Sequence, residues 1–190
     1  MPAYATVEFE ILRKNLTETL VKEFYDSFFV HGLNFEKVFA WGCDENLQIE
    51  EVIAWNQEKL NNNFKLGFTQ DVSHNYRQIL ISGSPYSECR LFITNYGESF
   101  SFHVIVPEDE MHSENIDLLL KASENVWNTL PIEIIQSYGE LNDRYRIADI
   151  QSANEVSIEL FAFISQYDFI TELKNKYSGS ASIRGFKFVN

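Results

Sequence analysis

Apolar and polar residues alternate cleanly near the start of the chain. Val7, Phe9 and Ile11 fall on one side, and Thr6, Glu8 and Glu10 on the other. A period of two sends successive side chains to opposite faces, so this stretch predicts a half-buried strand. The period then lengthens to four. Leu16, Leu20, Phe24 and Phe28 mark an apolar stripe in NLTETLVKEFYDSFFVHG, which predicts a helix with Asn15 as cap. Glu18, three residues on, completes a capping box, and Gly32 stops the helix. FEKVFAWG, residues 35–42, predicts a second strand. DENLQIEEVIAWNQEKLNNN predicts a second helix with Ile49, Val52, Ile53 and Leu60 turned inward and Asn61–Asn63 as its end. Asp44 or Asn46 is placed to cap it, and Glu50 and Glu51 complement the positive end of its dipole.

From residue 65 to 106 the pattern becomes strand-like: KLGFTQ, NYRQILIS, ECRLFIT and SFSFHVIV. Ser82–Pro85 and Asn95–Glu98 are turn signals, so the last two strands predict a hairpin across Tyr96-Gly97. A third helix is expected from Ser113, with Glu114 and Asp117 in its first turn. Ile116, Leu119, Leu120, Ser123, Trp127 and Leu130 form its inner face, and Pro131 ends it. IEIIQSYGE, RYRIADI and SIELFAFIS are further strand candidates, YDFITELKNKY a short helix and SIRGFKFVN a final strand. No repeat, low-complexity tract or linker interrupts the chain. The expectation is one α+β domain over residues 1–190, mainly an antiparallel sheet with about three helices packed on one side. A C-terminal subdomain from about residue 140 is the other partition.

Composition changes this picture mainly through charge. Against 15 basic residues stand 28 acidic ones, a net charge of −13. Such a surface is repelled by phosphate backbones and anionic membranes and attracts cationic partners. No nucleic-acid or membrane partner is therefore expected. A chain of 190 residues buries a core without staples, and its 16 Phe, 9 Tyr and 3 Trp supply both core and contact aromatics. MPAYATVEFEILRKN lacks a basic region ahead of an apolar run, so no secretory signal is expected. No apolar run reaches membrane-spanning length. Cys43 and Cys89 form no CxxC, which fits a reducing, cytoplasmic home.

Chemistry-bearing motifs are scarce. His103 alternates onto the polar face of SFSFHVIV beside Ser99 and Ser101, and a metal there needs ligands from elsewhere. His31, His74 and His112 show no HxxxH or HExxH spacing. The PEDE run, residues 107–110, ends a strand and has no glycine turn of the kind calcium loops use. GxSxG, GxGxxG and Walker patterns are absent. The expected catalytic, cofactor-binding and metal sets are therefore empty, and a non-enzymatic role is favoured. What stands out is acid beside aromatics. One cluster joins Asp44, Glu45, Glu50 and Glu51 to Trp41 and Trp55. A second runs through Glu108, Asp109, Glu110, Glu114 and Asp117 with Tyr96 near it, and no basic residue occurs between Arg90 and Lys121. Trp41, Asp44, Glu45, Glu50, Glu51, Trp55, Tyr96, Glu108, Asp109 and Glu110 predict an acidic, aromatic-studded contact surface for a cationic protein.

Through WGCDENLQIEEVIAW and YGESFSFHVIVPEDE, its size and its α+β order, the chain resembles the small acidic immunity proteins of bacterial polymorphic and contact-dependent toxin systems. That resemblance implies a cytoplasmic, non-catalytic protein that binds one cognate toxin domain and occludes its active site or a nearby surface. It transfers no functional residue. The competing expectation is a small-molecule-binding domain or small enzyme, with an aromatic-lined pocket between sheet and helices.

Overall fold

The alternation around Val7 builds β1 (Tyr4–Leu12), in which Ala5, Val7, Phe9 and Ile11 are fully buried. In the computed structural model, which describes residues 3–29, 32–38, 46–63, 79–83, 85–111, 113–139 and 162–164, nine further strands and α-helices follow among the described residues. They are α1 (Leu20–Phe28), β2 (Asn34–Val38), α2 (Ile49–Asn61), β3 (Ile79–Ser82), β4 (Arg90–Asn95), β5 (Ser99–Pro107), α3 (Ser113–Thr129), β6 (Ile134–Gly139) and β7 (Ala162–Ile164). The strands form one seven-stranded sheet in the order β2-β3-β4-β5-β1-β6-β7, and every neighbouring pair is antiparallel. This is the expected α+β class, with three helices on an antiparallel sheet.

β1 lies between β5 and β6. Phe9 sits opposite Phe102 on one neighbour and Ile135 on the other, and Val7 opposite Val104 and Ser137. Period two then sends the Phe9, Phe102 and Ile135 set toward α1. There the Phe24 ring stacks on Phe102 at 3.7 Å and meets Phe9 edge-on at 5.2 Å. Phe28 adds an edge contact to Phe9 at 6.0 Å and lies parallel to Phe24 at 5.8 Å. Phe9, Phe24, Phe28, Phe100 and Phe102 expose nothing to solvent. Offset and edge geometries add to the area term, so this seam is the main apolar bond between helix and sheet.

Polar side chains then tie α2 and α3 to α1. Thr19 gives α1 no side-chain cap. Gln57 of α2 does so instead, its Oε1 accepting the Val21 N–H at 2.9 Å and its Nε2 donating to the Thr17 carbonyl at 2.8 Å. Asn56, completely buried, donates to the Tyr25 hydroxyl at 3.0 Å. From α3, Asn125 donates to the Ser27 carbonyl at 2.6 Å.

Several boundaries differ from the sequence expectation. The capping box at Asn15 and Glu18 does not form: Arg13–Asn15 make a 3-10 turn, and α1 starts at Leu20. Glu18 instead accepts from Asn61 of α2 at 3.0 Å. The cap of α2 is Gln48, paired with Glu51 in a reciprocal capping box, and the Gln48 side chain also donates to the Asn46 carbonyl at 3.3 Å. The hairpin turn is Gly97-Glu98, one residue later than expected, because the Tyr96 N–H pairs with the Ser99 carbonyl at 2.8 Å. Gly97 has φ +90°, at the first central position that a type II′ turn reserves for glycine. Gly83 is equally constrained: a Cβ there would lie 1.9 Å from the Gly32 carbonyl oxygen. The expected strands at 65–70 and 144–150, the helix from Tyr167, the strand from Ser182 and a boundary near 140 all lie outside the described residues.

Two outcomes follow from this packing. Phe24→Ala is expected to cost about 3–5 kcal/mol in urea unfolding, against about 0.5 kcal/mol or less for the exposed Lys22→Ala. Burial holds the Tyr25 phenol well above the ordinary tyrosine value, opposed in part by its bond to Asn56, so the folded state keeps a proton the unfolded chain releases. Stability from this group is complete below about pH 10 and falls as pH rises beyond it. Tyr25→Phe, measured by urea unfolding, should lose about 1–3 kcal/mol at neutral pH and show a shallower decline above pH 10.

Candidate functional site

The carboxyl end of β1 shows how one contact region is held. The chain turns at Arg13, whose guanidinium reaches three elements at once. Its Nε donates to the Gly97 carbonyl at 2.8 Å, Nη1 to the Leu60 carbonyl at 2.7 Å and Nη2 to Asn95 Oδ1 at 2.5 Å. The group also lies 5.5 Å from the centre of the Phe100 ring, and the Arg13 N–H donates to the Glu98 carbonyl at 2.8 Å. Asn95 Oδ1 accepts the Gly97 N–H at 3.0 Å, and its Nδ2 donates to Asn63 Oδ1 at 3.0 Å. A planar five-donor fork suits this task, and a lysine could not span the same acceptors. The β4–β5 turn is thereby fixed to the C-terminal end of α2. Tyr96 stands on that turn with 49% of its surface exposed, the one exposed large hydrophobic among the described residues.

The PEDE run occupies the opposite end of β5. Glu108–Glu110 form a 3-10 turn whose Glu108 N–H donates to the Ala3 carbonyl at 2.8 Å. Glu110 Oε2 accepts the Ser87 N–H at 2.7 Å, and its carbonyl accepts from Asn115 at 2.8 Å. The Tyr86 hydroxyl donates to the Asn115 carbonyl at 2.8 Å; burial first, then Cys89 and Glu110, push its phenol above the ordinary range. Nearby, Tyr4 donates to Glu88 at 3.0 Å, and Arg90 pairs with the same carboxylate. Asp109 is exposed, whereas Glu108 and Glu110 are half-buried. At about 3.4 Å per residue, β5 separates Tyr96 from this turn by roughly 27 Å. The expected neighbourhood of Tyr96 and the second acidic cluster is therefore corrected: sequence proximity hid a full strand between them.

In the first cluster, Glu50 and Glu51 are exposed on the opening turn of α2. Glu51 also closes the capping box, its Oε2 accepting the Gln48 N–H at 2.8 Å. Trp55 is half-buried against the core, with Lys59 Nζ 5.0 Å from its ring centre. Trp41, Asp44 and Glu45 lie outside the described residues.

A polar row that sequence reading missed crosses the sheet face opposite α1. Phe92, His103, Glu8 and Gln136 stand in register on β4, β5, β1 and β6. Phe92 stacks on the His103 ring at 4.8 Å, His103 Nε2 lies 4.0 Å from Glu8 Oε1, and Gln136 donates to Glu8 Oε2 at 3.3 Å. His103 is 5% exposed, and Ser101 beside it is completely buried. The 4.0 Å between His103 Nε2 and Glu8 Oε1 exceeds hydrogen-bond reach. Strand alternation placed His103 and Ser101 on this face; their burial and the register bringing Glu8 alongside were not legible in one strand.

Among the described residues no three His, Cys, Asp or Glu side chains gather as a metal site, and no helix is long and apolar enough to cross a membrane. The aromatic rings between α1 and the sheet contact one another. Comparison with protein-family models, curated proteins and solved structures gives no match.

The acidic candidates thus divide into side chains that hold turns and side chains that meet solvent. Glu51→Ala is expected to lower stability by about 1 kcal/mol through loss of the α2 cap. Glu50→Gln and Asp109→Asn should each stay within about 0.5 kcal/mol of the parent in the same urea titration.

Proposed function

We propose that this chain is a non-catalytic binding protein of the immunity kind, which neutralises a basic toxin domain by occluding its active site or an adjacent surface. The observation that carries the reading is a net charge of −13 combined with acidic side chains exposed on two well-tethered turns, Glu50 and Glu51 opening α2 and Asp109 after β5. Turns held by backbone and capping bonds present charge at fixed positions, so little order is lost when a partner docks. Long-range attraction then raises the encounter rate, from about 10⁵–10⁶ toward 10⁸ M⁻¹s⁻¹ at low salt. The face such a protein targets is cationic, as the cleft of an enzyme acting on an anionic polymer would be. A cytoplasmic location belongs to the same reading, since such a protein guards the cell that makes it.

The test is capture from a lysate of the source organism at low and physiological salt, followed by kinetics on the purified pair. One basic partner is expected, with an association rate that falls steeply as salt rises. Glu50→Gln, Glu51→Gln, Asp109→Asn and Glu110→Gln together should slow association about tenfold and flatten the salt response. The amide isosteres retain the acceptor oxygens on which the cap and the turn depend. Absence of any basic partner in both buffers, or a rate indifferent to salt and to the four substitutions, would contradict the proposal.

A further inference from the structure

We draw no further inference here: the strongest candidate, the polar side-chain cluster of Ser101, His103, Glu8 and Gln136 on the sheet face opposite α1, carries nothing because nothing among the described residues shows what covers that face.

Discussion

The stack of Phe24 on Phe102 is the contact from which the rest of the structure takes its positions. It joins the middle of α1 to the middle of β5, and Phe9 on the neighbouring β1 closes it from the side. Once α1 is seated there, α2 and α3 dock against it through Gln57, Asn56 and Asn125, whose hydrogen bonds are lost if the helix shifts. Buried polar contacts of this kind add modest net stability but penalise every misplacement, so they specify where an apolar seam only attracts.

Polarity is distributed in a way that separates folding from contact. The centre of β1 and β5 is apolar on the helix side, and both ends of β5 leave the core through polar turns. Arg13 organises one end, and the backbone and carboxylate bonds of Glu108–Glu110 organise the other. Glu110 and Glu51 are each partly committed to the fold through a backbone N–H, whereas Glu50, Asp109 and Tyr96 face solvent. The proposed binding surface thus draws on side chains whose replacement leaves the framework standing. That division makes rate and stability effects separable.

The strands and helices were legible wherever their periodicity was strong. β1, β4, β5 and α3 fall close to where alternation or a four-residue stripe placed them, and the antiparallel α+β class follows from that order. Local capping signals were less informative. Asn15 and Glu18 have the right spacing for a capping box, yet the chain uses Arg13–Asn15 as a 3-10 turn and borrows its cap from Gln57, thirty-six residues away. Tertiary partners of this sort leave no trace in a local window. The same limit governed the candidate surface. Tyr96 and Glu108 are twelve residues apart in sequence, but an intervening strand is a rod, so they mark its two ends. Arg13 carried no motif; only the fold brings Gly97, Leu60 and Asn95 around it.

The central claim is that a rigid aromatic-cored framework presents its contacts at the turns. Amide hydrogen exchange, recorded on the free protein and on its complex with the captured basic partner, tests that most directly. The account predicts that β1 and β5 exchange only through global opening in both states, and that the partner adds protection at residues 48–51 and 107–110. Added protection confined to the Phe92–His103–Glu8–Gln136 face, with the turns unchanged, would contradict it.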